Sequence, residues 1–134
     1  MNRFLLFTVI LAISFFSCKK YNTSPVQLED GIYSGTFQRL VNGYGQVSKV
    51  TLTFSRGIWT GESEFAKYPA LCHGTYSLDQ NGVISFVNDC VFTAEFDWSL
   101  ILSHQFSLNR EGDSISFSRS PMVNYTDIYR LKKQ

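Results

Sequence analysis

A chain of 134 residues with a formal net charge of +1, twelve Lys and Arg against eleven Asp and Glu, has no positive surplus with which to hold nucleic acid. Aromatic residues make up 16% of it and charged residues only 17%, a composition that excludes a solvated disordered tail and fits one domain with a modest core. There is no length for a second domain.

The chain opens with one positive residue, Arg3, followed by an apolar run over 4–16 that only Thr8 and Ser14 interrupt, and then by Ser17-Cys18-Lys19-Lys20. This is the layout of a secretory signal. The run falls short of the roughly 20 apolar residues that a spanning helix needs. Phe15-Phe16-Ser17-Cys18 resembles a lipobox, the site at which a cysteine thiol is diacylated and becomes the new N-terminus. The resemblance implies that residues 1–17 are removed and that Cys18 anchors the mature chain through acyl chains of the palmitate class. The alternative is a secreted, unlipidated protein cut nearby. Several acyl chains, at about 0.8 kcal/mol per buried CH₂, make such attachment stable. Lys19 is not the Asp associated with inner-membrane retention in familiar lipoproteins, so the expected location is the outer membrane, facing the periplasm. Residues 18–30, polar and without period, read as a flexible tether, and the domain is expected to begin at Gly31.

From Gly31 onward the apolar residues alternate, with no sustained 3.6-residue period, so the reading is all-β. Strands are predicted over 32–39, 47–55, 57–65, 73–78, 83–89, 92–98, 105–109, 114–118 and 127–132. Asn42-Gly43-Tyr44-Gly45, Arg56-Gly57 and Glu111-Gly112-Asp113 read as hairpin links, which make sequential strands antiparallel neighbours. One face collects Val50, Leu52, Phe54, Tyr76, Leu78, Ile84, Phe86, Phe106, Leu108, Ile115, Phe117, Tyr129 and Leu131. A meander with one apolar face buries it by curling into a barrel, which also removes exposed edges. Eight strands enclose just enough space for side chains or one small ligand, and this many rings favour a filled interior. The even-numbered row from Phe92 to Leu108 is too long for one strand and must bend between Trp98 and Gln105, where a short helical turn would serve.

Three cysteines become an even pair if Cys18 carries lipid, and export permits Cys72 and Cys90 to form a disulfide. If they face each other across a hairpin, Tyr76 opposes Phe86 and Leu78 opposes Ile84. Asp79 and Val83 then close a loop of Gln80-Asn81-Gly82, with Gly82 free to take a positive φ. A crosslink over such a loop contributes about 3 kcal/mol. Two buried free thiols are the other reading.

Gly31-Ile32-Tyr33-Ser34-Gly35-Thr36-Phe37, Gly74-Thr75-Tyr76 after Tyr68-Pro69, Phe96-Asp97-Trp98-Ser99-Leu100-Ile101-Leu102 and Asp127-Ile128-Tyr129-Arg130-Leu131 together resemble small lipocalin-like lipoproteins of Gram-negative bacteria. The resemblance spans the mature domain and implies an eight-stranded calycin-type barrel. It implies no particular activity.

Few residues suggest chemistry. Glu62 with Glu64, and Glu95 with Asp97, lie two apart on predicted strands, but they fall on the polar parity and read as solvated charges. Neither a Ser/His/Asp spacing nor a phosphate-binding loop is present. Cys72-His73, with Cys90 and His104, invites a metal-site reading, yet neighbours on a strand point to opposite faces, so neither metal nor cofactor is expected. His104, the polar member of an apolar row, either points into the barrel toward a ligand or lies in a loop. Trp59, Trp98 and Tyr68 are candidates for a contact surface, with core or barrel-rim packing as the plainer reading, and Trp59, Trp98 and Tyr76 join His104 as candidates for ligand binding. Asp113-Ser114-Ile115 resembles the Asp-Ser/Thr-aliphatic tripeptide that some Gram-negative bacteria O-glycosylate, and an Asp-Ser turn explains it equally. The expected function is a non-catalytic, membrane-anchored binding module for a small apolar ligand or an envelope protein. A structural envelope component and an inhibitor of an envelope-directed hydrolase are the alternatives, and a hydrolase is the remote one. A large polar-tipped cavity would favour the ligand; a filled barrel with an exposed aromatic patch would favour the protein partner.

Overall fold

The computed structural model describes residues 27–93 and 95–134; the expected signal, Cys18 and the tether as far as residue 26 lie outside the described residues. Eight strands form an antiparallel meander: β1 (Gly31–Val41), β2 (Val47–Ser55), β3 (Ile58–Ser63), β4 (His73–Leu78), β5 (Val83–Asn88), β6 (His104–Glu111), β7 (Ser114–Arg119) and β8 (Tyr125–Lys133). β8 pairs back onto β1, from Tyr33 opposite Lys133 to Val41 opposite Tyr125, and closes the barrel. Closure pairs both strands that would otherwise be sheet edges.

Alternation decides what lies inside. Every residue of the predicted apolar face packs in the interior, Leu78 and Leu108 only in part. Tyr33, Phe37, Trp59 and Leu102 join them. Rings fill the space by edge-on and tilted contacts: Phe86 meets Trp59 at 5.8 Å, Phe106 at 5.8 Å and Phe117 at 5.3 Å, and Phe117 stacks on Tyr129 at 4.5 Å. Such pairs add roughly 0.5–1.5 kcal/mol each beyond the area they bury. Among the described residues, grooves run over outer strand faces. One of about 460 Å³ is lined by outward residues such as Ser34, Thr36, Ser116, Arg130 and Lys132.

The β4–β5 hairpin has the expected register, Tyr76 opposite Phe86 and Leu78 opposite Ile84. Asp79 N–H bonds to the Val83 carbonyl at 3.0 Å, Gly82 takes φ 77°, and Cys72 is disulfide-bonded to Cys90 with their Cα atoms 6.3 Å apart.

Two expectations are corrected. The described residues of 92–98 form no strand; the chain leaves β5 and makes one 3-10 turn, Trp98–Leu100, before β6. The connection ends in a plug: Ala70 bridges Ile101 in parallel, and Ile101 and Leu102 are both buried. The tether, expected to run to residue 30, is already docked at Gln27. Leu28 is buried in the core, Tyr33 Oη donates to the Glu29 carbonyl at 3.0 Å, and Lys133 pairs with Glu29 at 2.7 Å. An apolar side chain over the open end of a barrel gains by burial, which a flexible stalk would forgo.

Candidate functional site

The antiparallel meander sends alternate connections to opposite ends. The chain enters at the end that carries the short links after β2, β4 and β6. At the other end lie the connections β1–β2, β3–β4, β5–β6 and β7–β8. These longer loops carry most of the exposed apolar side chains, and a charged cluster beneath them ties the β5–β6 connection to β1, β7 and β8.

That cluster grows from strand register. Arg39 on β1 and Arg119 on β7 each stand opposite Asp127 on β8, all on the inward parity. Arg39 and Asp127 are buried. The Arg39 guanidinium directs Nε to Asp127 Oδ1 (2.6 Å) and Nη2 to Asp127 Oδ2 (2.8 Å). Its remaining bonds run to the plug: Nη1 to Asp97 Oδ2 (2.7 Å) and Ser99 Oγ (2.8 Å), and Nη2 to the Ser99 carbonyl (3.0 Å). All five donors of the fork are used. Arg119 adds a contact to Asp127 at 3.3 Å and donates to the Ser99 carbonyl, with its guanidinium 5.1 Å from the Phe106 ring centre. Burial opposes the charge on Arg39, but the hydrogen bond and charge of Asp127 more than offset it, so its pKa stands raised. Asp97 caps the 3-10 turn, accepting from the Ser99 N–H at 2.9 Å. Partial burial works against its carboxylate, but the Ser99 hydroxyl and amide, with Arg39, hold its pKa below the ordinary value.

Above this cluster the plug displays a run of rings. Phe92 lies 5.4 Å from Phe96, which stacks on Trp98 at 6.0 Å, and Lys67 Nζ sits 5.0 Å from the Phe96 ring centre. Trp98 is 54% exposed and Val91 98%. At the same end the β1–β2 loop carries Tyr44 at 84% and the β7–β8 loop carries Val123 at 85%, with Met122 and Phe65 also exposed. The loops brace one another: Asn42 N–H bonds to the Asn124 carbonyl at 3.0 Å, and Tyr68 Oη bonds to the Gln46 carbonyl at 3.0 Å.

The other singled-out residues scatter. Trp59 is fully buried and donates Nε1–H to the Val87 carbonyl at 3.1 Å, and Tyr76 is buried with its hydroxyl unpartnered among the described residues. Both are core residues, unlike Trp98. His104 is exposed at the start of β6; its φ of 76° breaks the row between buried Leu102 and Phe106, so it does not point into the barrel. Ser114 is exposed after the tight link from β6 to β7. Glu62 and Glu64 are exposed, and Glu64 accepts the Lys49 N–H at 3.0 Å. Asp97 turns to Arg39 while Glu95 stays in solvent, so that pair forms no acid–base site. The Arg39–Asp127 pair, missed from sequence, was signalled by charges at inward positions of the first and last strands.

One pair expected to diverge converges. Cys72 precedes β4, so strand geometry does not set its direction, and its sulfur lies 3.3 Å from His73 Nδ1. Cys90 Sγ lies 3.2 Å from the same nitrogen. The donor atoms of Cys72, His73 and Cys90 all fall within 4.8 Å of one another, and His104 is not among them. No family model, curated protein or solved structure matches the chain.

Proposed function

We propose that this chain is a lipocalin-like envelope lipoprotein, anchored through Cys18 on the periplasmic side of the outer membrane, that acts without catalysis by binding a protein partner through its four-loop end. The observation that carries this reading is the combination of a ring-filled barrel with an exposed aromatic surface at the end away from the tether. Phe86, Phe106, Phe117 and Tyr129 occupy the space a small apolar ligand would need. Trp98 is instead offered to solvent on the connection that Arg39 holds, and Tyr44 and Val123 on the β1–β2 and β7–β8 loops that Asn42 and Asn124 join. Aromatic side chains on a rigid support suit a protein interface, because little conformational entropy is lost on docking. A tether entering at the opposite end, beside Gln27 and Leu28, turns this surface away from the lipid.

The hydrolase-inhibitor version is the narrower form of the same reading, since projecting loops suit a substrate cleft. The test is chemical crosslinking of the lipidated protein in its own envelope, followed by pull-down and mass spectrometry of proteins and extractable small molecules. Wild type is expected to enrich a protein that the Phe96→Ala, Trp98→Ala double variant recovers at most one tenth as well. Enrichment of a small molecule with no protein, or equal protein recovery by the variant, overturns the reading.

A further inference from the structure

The cluster of Cys72, His73 and Cys90 lies where the β3–β4 and β5–β6 connections meet the start of β4 and the end of β5, on the side of the barrel next to the loop end. We propose that it is a redox-gated site for a thiophilic metal ion of the Zn²⁺ class, closed as a disulfide and open as a dithiolate–imidazole chelate. The proposal stands independently of the binding function.

The argument rests on what holds the donors in place. A disulfide usually fixes two sulfurs that would otherwise part, but here backbone pairing already fixes them. Gly61 N–H bonds to the Cys72 carbonyl at 2.8 Å, Asp89 N–H to the His73 carbonyl at 3.0 Å, and Asn88 Nδ2 to the Cys90 carbonyl at 2.7 Å. The β4–β5 ladder from Gly74 opposite Asn88 to Leu78 opposite Ile84 continues the same register. Breaking the S–S bond therefore leaves two thiols facing each other beside one imidazole.

The distances suit a tetrahedral ion. With Zn–S of about 2.3 Å and Zn–N of about 2.0–2.1 Å, two thiolates lie roughly 3.8 Å apart and each sits roughly 3.6 Å from the nitrogen. His73 Nδ1 already lies 3.3 and 3.2 Å from the two sulfurs. A few tenths of an ångström of imidazole movement, together with rotation of both cysteine side chains about their Cα–Cβ bonds, completes three ligand positions. His73 is exposed, so the fourth position opens to water. Nδ1 ligation requires the Nε2–H tautomer, which an exposed ring is free to adopt.

The chemistry balances with a dithiol reductant. Its two thiols supply two electrons and two protons, the Cys72–Cys90 bond breaks to two thiols, and the reductant leaves as its own disulfide. Zn²⁺ then displaces the two thiol protons to solvent and takes two thiolates and neutral His73. Exchange with a disulfide oxidant reverses this: the oxidant takes two electrons from the thiolates and two protons from solvent and leaves as two thiols, the Cys72–Cys90 bond re-forms, and the ion, having lost two of its three ligands, is ejected.

The test uses the full chain in detergent with Cys18→Ser, so that only two thiols count. Reduced and oxidised forms are titrated with Zn²⁺ against a chromogenic chelator, and with Co²⁺ to read thiolate-to-metal charge transfer. The reduced form is expected to bind one ion, the oxidised form none, and His73→Ala to weaken reduced-state binding by at least about tenfold. Far-ultraviolet circular dichroism is expected to be the same before and after reduction. No binding by the reduced form, equal binding by both forms, an unchanged affinity in His73→Ala, or loss of the barrel signal on reduction each overturns the proposal.

Discussion

Arg39→Lys tests whether the loop end is organised by geometry or by charge alone. The substitution keeps the positive charge and replaces five donors in a plane with three on a point. In the native protein the fork spans Asp127 on one side and Asp97 with Ser99 on the other. An ammonium group satisfies one side, so at least two charge-assisted bonds are lost, each worth about 1.5–3 kcal/mol before compensation. Water recovers part of this at half-exposed Asp97 but none at buried Asp127. The expected cost is about 2 kcal/mol. Arg39→Ala leaves the buried carboxylate with only Arg119 at 3.3 Å, and the cost rises to about 3–4 kcal/mol, the lower part of the range for breaking a buried pair. In urea, where small domains have slopes of about 1–3 kcal/mol/M, the midpoint should fall by roughly 1 M for Lys and 2 M for Ala. The disulfide is kept intact in all samples, and Trp98 emission follows the plug. A Lys variant indistinguishable from wild type, or an Ala variant costing under about 1 kcal/mol, would refute the hub.

Three further outcomes follow from other parts of the molecule. The folded pKa of Asp97 lies below its unfolded value, so its contribution is fully present above about pH 4 and is lost as pH falls through the folded value; because this carboxylate is half exposed, solvent screening limits the change to below about 1 kcal/mol. Urea midpoints taken between pH 5 and pH 2 should show that component in wild type and lack it in Asp97→Asn, and identical profiles would count against the cap. Gly35→Ala would drive a methyl group into the Arg130 carbonyl oxygen across the β1–β8 seam, a backbone contact that no side-chain rotation relieves, at a cost of about 3 kcal/mol; a midpoint within 0.5 M of wild type, at about 0.5–1.5 kcal/mol, would mean the seam yields. Cys18→Ala should move the protein from the membrane to the soluble fraction while its circular dichroism stays that of the barrel, and a variant still pelleting with membranes would remove the anchor.

The hairpin around residues 72–90 was legible because three separate constraints agreed: opposed cysteines, a matched apolar face and a glycine where the loop needs positive φ. The filled interior was legible for the same reason, since alternation over many strands leaves little freedom in what faces inward. Residues 92–98 misled because alternation alone does not separate a strand from a connection that displays rings such as Trp98 at its surface and buries Ile101 and Leu102 against the barrel end. What distinguishes them is the hook from Arg39, some sixty positions away in sequence, which no local pattern reports. The inward arginine and aspartate were passed over because alternation was read through apolar residues only, although Arg39 continues the row of Tyr33, Gly35 and Phe37. The convergence of His73 with both cysteines was hidden by treating Cys72 as part of the strand that begins one residue later.

The most direct test of a protein-binding loop end is site-specific photocrosslinking in the native envelope. A crosslinking residue at Trp98 or Tyr44 samples the four-loop end, and one at Arg56 or Asn81 samples the links at the tether end. The account predicts a discrete protein adduct from Trp98 and Tyr44, competed away by unlabelled wild-type protein, and none from Arg56 or Asn81. Adducts from the tether end alone, or none from either end, would contradict it.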